Sequence, residues 1–277
     1  MSTQLLFLSE ADTEQILTWP EVIACLAAAY QAPDDPGAAP PRVVARKGSA
    51  WLRVLAALSA SGRSMGVKII GRARTPQASY LIPLWEQATA ELVCLLDGKH
   101  ITAMRTAGTT AVAVDRLLPP GGINVAVLGA GQEAQAHASA IATVRAFRSL
   151  AVFSPTPASR EGFARKFSQE LKLECRAADS ARAAIAGADL IIAAARSRDE
   201  TPILEGAWLK PGTLVTSIGS TLPEQFEVDP EVIRRAELIV ADVPEEVMHE
   251  TGDLLAARAA GVDFESKIVA LADLVQG

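Results

Sequence analysis

The chain has 277 residues, of which 49% are hydrophobic and 21% charged. That apolar supply excludes disorder as the main state and provides for about two domains of ordinary size. Its 26 Lys and Arg against 32 Asp and Glu give a net charge of −6, with aromatics at 5% and no basic run. Neither a nucleic-acid footprint nor a base-stacking platform is expected.

In chain order, Glu21 to Tyr30 reads as a helix entered through Pro20. The stretch Ala32 to Pro41 carries too many prolines for helix or strand. Strand patterns follow at Trp51 to Leu58, Gly66 to Ile70, Tyr80 to Trp85 and Glu91 to Leu96. The short polar turn at Gln87 to Ala90 makes the last two a hairpin, hence an antiparallel sheet. Ile101 to Leu118 reads as a long helix, stopped by Pro119-Pro120-Gly121-Gly122.

Beyond that stop, strand and helix alternate. Strands are expected at Ile123 to Leu128, Ser149 to Phe153, Asp189 to Ala194, Leu214 to Ile218 and Leu238 to Ala241. Helices are expected at Glu133 to Arg145, Ser159 to Leu171 and Ala181 to Ile185. Such alternation implies a parallel sheet covered on both faces. The expected class is α/β: a Rossmann-like doubly wound parallel sheet plus a smaller α+β domain with a largely antiparallel sheet. The expected division is 1–119 and 120–255, with 256–277 returning to the first part.

Cys25, Cys94 and Cys175 lie far apart with no C-x-x-C pair, and His100, His137 and His249 form no H-E-x-x-H. Neither a disulfide framework nor a metal site is expected. The N-terminus lacks the basic region of a signal peptide, and no segment approaches the ~18 apolar residues of a membrane span. A cytoplasmic protein without a membrane partner is the expectation.

The strongest chemical signal is Gly129-Ala130-Gly131-Gln132-Glu133-Ala134, a G-x-G-x-x-A directly after a strand and before a helix. Gly129 permits the tight turn, Gly131 lets a pyrophosphate approach the backbone, and Ala134 keeps helix and strand close. Dinucleotide binding follows from that context. The second strand ends in Ser154-Pro155-Thr156-Pro157 with no acid to hold a ribose 2′-hydroxyl. Ser154 and Thr156 could bond a 2′-phosphate and Arg160 neutralise it, so NADP(H) is favoured over NAD(H).

Three cations occupy unusual places in the first half: Arg42 after Pro40-Pro41 at the start of a strand, Lys68 within the apolar Met65-Gly-Val-Lys-Ile-Ile-Gly71, and Arg105 early in a helix. Ordinary ion-paired or solvated roles suit all three. A lysine among strand apolars can also carry a lowered pKa and move a proton. Arginine suits a bidentate grip on a carboxylate.

Pro40-Pro-Arg42, Gly66-Val-Lys68, Ile101-Thr-Ala-Met-Arg-Thr106, Val127-Leu-Gly-Ala-Gly-Gln132, Asp189-Leu-Ile-Ile, Leu209-Lys-Pro-Gly212, Gly219 and Pro223 occur in an order that resembles the ornithine cyclodeaminase/mu-crystallin family. The resemblance runs from about residue 40 to about 255. It implies a substrate-binding, dimer-forming N-terminal domain, a Rossmann domain, and catalysis in the cleft between them. It makes Lys68 the catalytic proton carrier and turns Arg42 and Arg105 toward the substrate carboxylate or the cofactor phosphates, with Thr106 beside them. The nicotinamide would meet the loops after Ala194 and after Ile218, where Gly219 stands.

Two departures qualify this. The Asp-Cys-Pro-Gly-Lys loop shared by cyclodeaminases is replaced by Thr221-Leu-Pro-Glu-Gln225, with threonine in place of that acid and glutamine in place of that lysine. Members also usually continue past the equivalent of Gly277, so the chain is expected to be a few tens of residues short. The expected function is NAD(P)H-dependent reduction of cyclic or linear α-imino acids, with amino-acid dehydrogenation in reverse and a homodimer as the working form. Ornithine cyclodeaminase and a non-catalytic NADPH-dependent binding protein are the alternatives. The segment Arg72 to Ser79 is expected to shape the substrate pocket; Asp242, Glu250 and Asp253 could support the site residues from behind, but solvated loop roles are the favoured reading.

Overall fold

The structure is a computed structural model that describes residues 5–33, 35, 37–74, 77–195 and 199–277. It has the expected α/β architecture. By its contacts the chain divides into two compact units, Met1–Arg105 and Thr106–Gly277.

The first unit is built on a six-stranded sheet in the order β1-β6-β5-β4-β3-β2. Its strands are β1 (Leu6–Leu8), β2 (Val43–Lys47), β3 (Ala50–Leu58), β4 (Ser64–Arg72), β5 (Ser79–Glu86) and β6 (Leu92–Asp97). All neighbours are antiparallel except β1, which runs parallel to β6. The β5–β6 hairpin closes where expected, with the Glu86 amide donating to the Glu91 carbonyl and Ala90 at φ 58°. Two helices, α1 (Glu10–Ile16) and α2 (Trp19–Gln31), precede β2. Helix α1 starts at a capping box: Ser9 Oγ accepts from the Asp12 amide and Asp12 Oδ2 from the Ser9 amide. The Lys99–Glu10 ion pair, at 2.8 Å, links α1 to the start of α3 (Lys99–Leu117). Strand β1, only three residues long, has no counterpart in the sequence reading, while β2 begins one residue after Arg42, where a strand start is expected.

The second unit centres on a five-stranded, wholly parallel sheet in the order β11-β10-β7-β8-β9. It is formed by β7 (Ile123–Leu128), β8 (Phe147–Phe153), β9 (Cys175–Ala177), β10 (Leu190–Ala193) and β11 (Leu214–Ser217). Central strands buried on both faces need unbroken apolar runs, and Leu190 to Ala193 is one, buried at every position. Helices α4 (Gln132–Val144), α5 (Pro157–Leu171) and α6 (Ala181–Ile185) connect these strands. The chain leaves β7 toward β8 on one side and returns to β10 on the other. This reversal is the point at which doubly wound sheets bind ligands.

The units part within α3 rather than at Pro119–Gly122. The prolines end the helix, yet Arg145 ties that end to the second unit by pairing with the Asp115 carboxylate and donating to the Asp115 and Leu118 carbonyls. Carbonyls at a helix end need such outside donors. The segment 256–277, expected to return to the first unit, lies in the second. Strand β12 (Ile239–Ala241) does not join the main sheet but pairs in parallel with β13 (Ile268–Ala270). Buried Phe264, Leu271 and Val275 fix this tail. Three further helices, α7 (Pro230–Arg235), α8 (Pro244–Glu250) and α9 (Gly252–Ala259), precede β13, and α10 (Leu271–Gln276) follows it. Among the described residues, no helix is long and apolar enough to cross a membrane.

Candidate active site

The glycine turn forms where β7 passes into α4. Gly129 has φ +116°, and a Cβ there would stand 2.6 Å from the Ala194 carbonyl oxygen. Both conditions demand glycine. The Gly129 amide donates to the Phe153 carbonyl at 2.8 Å and the Ala194 amide to the Leu128 carbonyl at 2.9 Å. The three central strands therefore end level with one another. Ala134 is fully buried, which lets α4 lie close to the sheet.

Gly131 is the N-cap of α4 and supplies no capping side chain, while Gln132 and Glu133 are exposed. A Cβ on Gly131 would meet nothing within 4 Å. Uncapped first-turn amides with open space before them fit a dinucleotide pyrophosphate. A hollow of about 340 Å³ lies alongside, lined by Glu133, Ala194, Ala195, Ile218 and Gly219. The structure thus gathers the glycine turn, Ala194 and Gly219, expected separately from the sequence, at one edge of the sheet. Arg196, Ser197 and Arg198, within the loop after Ala194, lie outside the described residues.

At the end of β8, Arg160 reaches back from α5 to donate to the Ser154 carbonyl at 3.1 Å, and it pairs with Asp179 at 3.4 Å. Thr156 caps α5 by position, with no side-chain hydrogen bond to the helix. Ser154, Thr156 and Arg160 are thus close in space. The Asp179 side chain is 99% exposed, so its ion pair is weak and exchangeable.

In the first unit, Lys68 occupies the middle of β4 and pairs with Leu55 of β3. Its ammonium lies 5.8 Å from the Tyr80 ring. Burial, then the charges of Arg105 and Arg53, bring its pKa down from 10.5 to about 7. Arg53 was not foreseen; it lies two residues before Leu55 on β3 and stacks over Trp51 at 5.4 Å. Strand alternation places residues 53 and 55 on one face, and that regularity is the signal that could have found it. Arg42 immediately precedes β2, whose Val43 pairs with Val54. Extending that register by one residue sets Arg42 level with Leu55 and so in line with Lys68. Arg105 and Thr106 are consecutive on α3. Thr75 and Pro76, in the segment expected to shape the substrate pocket, lie outside the described residues.

Sequence reasoning missed Glu227 and misjudged Asp253. Asp253 is no solvated loop residue: it lies in the first turn of α9 and is 5% exposed. Gly252 brings it there, because a Cβ at 252 would fall 2.0 Å from the Gln225 carbonyl oxygen. Glu227 is fully buried. Burial raises its pKa to about 7 against the hydrogen bonds from Gly219, Ser217, Ile218 and Ala195, which favour the carboxylate. Burial likewise raises that of Asp253.

With this geometry in place, the comparisons with known proteins can be set beside it. The ornithine cyclodeaminase/mu-crystallin family matches residues 5–277, and the chain belongs to that family. It is 32% identical over 248 residues to ketimine reductase mu-crystallin of Mus musculus, covering 87% of this chain and 77% of that protein. Among solved structures, Δ1-pyrroline-2-carboxylate reductase of Thermococcus litoralis in complex with NADH and L-proline has 27% identity and a TM-score of 0.87, over 98% of this chain and 86% of that one. A probable ornithine cyclodeaminase from Bordetella pertussis has 28% identity and a TM-score of 0.85 over the same shares.

Gly129→Ala is expected to lower stability by about 1–3 kcal/mol, from left-handed strain and the clash with Ala194. It should also remove dinucleotide binding. Urea unfolding and NADH titration of the same preparation test both effects.

Proposed function

We propose that this chain is a nicotinamide-nucleotide-dependent reductase of α-imino acids of the ketimine or pyrroline-carboxylate type, running in reverse as an amino-acid dehydrogenase. The observation that carries the reading is Lys68, half-buried in β4 beside the charges of Arg53 and Arg105, with a pKa of about 7. A group with that pKa changes protonation state near neutrality, as a general acid–base must. The names of the relatives, ketimine reductase and pyrroline-carboxylate reductase, support it.

Arg42 and Arg105 are proposed to hold the substrate carboxylate, with Lys68 giving a proton to the imine nitrogen in reduction and taking one from the amine in oxidation. Gly129 to Ala134, with Thr106, Ala194 and Gly219, are proposed to hold the cofactor, which supplies the hydride when bound. The unit Met1–Arg105 is assigned the substrate and dimer contacts, and the unit Thr106–Gly277 the dinucleotide. The reading retains a cytoplasmic location and a homodimer. Exposed Val43, Leu52 and Leu58 on β2 and β3 support self-association.

Ornithine cyclodeaminase is the second reading, favoured by the Bordetella neighbour. The turn at Thr221 to Gln225 weighs against it. There the Thr221 amide and hydroxyl both donate to Gln225 Oε1 at 3.0 Å, and no acid or lysine stands where that chemistry needs them. Ammonia released from ornithine with catalytic NAD would favour this second reading.

Lys68→Ala should bind NADH normally and lose about 10²-fold or more in kcat/KM for cyclic imino acids. Reduction needs the protonated amine, so its kcat/KM should fall as pH rises through about 7. Oxidation needs the neutral amine and should rise through the same pH. A pH-rate profile lacking these opposed limbs contradicts the assignment.

NADPH is expected to be preferred to NADH, and Arg160→Gln should reduce that preference about tenfold through loss of a charged hydrogen bond. Initial rates with both cofactors measure it. Sedimentation across a range of concentrations should give twice the chain mass.

A further inference from the structure

Glu227 and Asp253 have no part in the chemistry above, yet burying a carboxylate is costly unless its oxygens are satisfied. The hydrogen bonds of Glu227 show what offsets that cost. Its Oε1 accepts from the Ala195 amide at 2.7 Å. Its Oε2 accepts from the Ile218 amide at 2.7 Å, the Gly219 amide at 2.8 Å and the Ser217 hydroxyl at 2.8 Å. Ala195 lies two residues beyond β10, and Ile218 and Gly219 are the first two beyond β11. One side chain therefore ties together the starts of two loops.

Asp253 holds this carboxylate from behind. Its Oδ1 accepts from the Glu227 amide at 2.8 Å and the Val228 amide at 3.3 Å, and its Oδ2 from the Ser217 hydroxyl at 3.1 Å. Its own amide donates to Ser220 Oγ at 3.1 Å. Ser217 has a single hydroxyl proton to share between both acids.

Ala195, Ile218 and Gly219 are also three of the five residues lining the hollow beside the glycine turn. Their amides are committed to Glu227 rather than to that hollow. Left free, three converging amides would favour an anion there. With them committed, this wall suits an uncharged planar ring, while the uncapped α4 N-terminus suits the pyrophosphate.

We propose that Glu227, backed by Asp253, is the positioning residue for the nicotinamide end of the cofactor, fixing Ala195, Ile218 and Gly219 as one wall of its pocket. This rests on the cofactor-binding reading given above. Glu227 acts through the backbone and touches no reacting atom.

The test compares NADH with ADP-ribose, which lacks only the nicotinamide portion, by calorimetric titration of the full chain. In Glu227→Gln, one acceptor oxygen becomes an NH₂ group facing backbone donors. NADH binding should weaken about tenfold, the scale of one lost charged hydrogen bond, while ADP-ribose binding stays within about twofold. Asp253→Asn should shift the same ratio in the same direction by less. Equal losses for both ligands would show a merely structural role and overturn the proposal, as would no loss for either. If the glutamine variant does not fold, Glu227→Asp retains the charge, withdraws it by one methylene, and is judged by the same ratio. If the unaltered chain binds neither ligand, the proposed function fails and takes this inference with it.

Discussion

Beyond the carboxyl edge of a parallel sheet, the backbone amides lose their ladder partners and must find others. In this chain the solution starts at Gly129. Only a residue without Cβ can sit at φ +116° with the Ala194 carbonyl pressed against its Cα. That approach keeps β7 and β10 paired to their last residues, so the Ala194 amide still reaches the Leu128 carbonyl. Because the strands end level, the next amide along, that of Ala195, comes within reach of Glu227, as do those of Ile218 and Gly219. The α4 N-terminus, the hollow and the buried acid are all consequences of that one close contact.

The two units treat buried charge in opposite ways. Lys68 is surrounded by apolar strand neighbours and shares its environment with two further cations, so burial and repulsion both favour its neutral form. It is thereby left able to exchange a proton. Glu227 is buried more deeply, but four donors converge on its oxygens and oppose the effect of burial. With both oxygens engaged by backbone amides and a hydroxyl, that side chain is suited to holding a shape. The contrast lies in hydrogen-bond supply: Glu227 is tied to four donors, whereas Lys68 has two cations beside it, in keeping with the positioning and proton-carrying roles proposed for them.

The same difference governs what could be read from the sequence. The glycine turn was legible because strand, turn and helix follow one another within a dozen residues, and each constrains its neighbours in the chain. Lys68 was legible as a charge interrupting an apolar strand pattern. Glu227 follows the same rule, standing between Phe226 and Val228, but it does so outside any recognisable strand. Its partners are 8, 9, 10 and 32 residues distant, and Asp253 is 26 away. No local pattern brings such groups together. Asp253 misled for a related reason: an acid after Thr251-Gly252 looks like loop, and only the close packing of Gly252 on Gln225 buries it. The segment after residue 255 was misplaced because three-residue strands such as β13 carry too little periodicity to reveal a partner.

The turn from Gly219 to Glu227 shows how a family scaffold can change its chemistry while keeping its architecture. Its start is pinned to its end: the Gly219 amide donates to the Glu227 carboxylate, and the Ser220 hydroxyl donates to the Gln225 carbonyl while accepting from the Asp253 amide. Between them the turn closes on itself, with the Gln225 amide donating to Leu222 and its side-chain oxygen taking both donors of Thr221. Gln225 thus spends its acceptor on its own loop, and the turn needs no charged partner to hold its form. Lysine at that position could not accept from Thr221, and aspartate at 221 would bring an acceptor where a donor is required. The Thr221–Gln225 pairing is self-consistent as it stands, so the missing acid and lysine are a stable alternative rather than a damaged site. With threonine at 221 and glutamine at 225, those two positions provide neither acid nor base, and the proposed reduction draws its proton carrier from Lys68 instead.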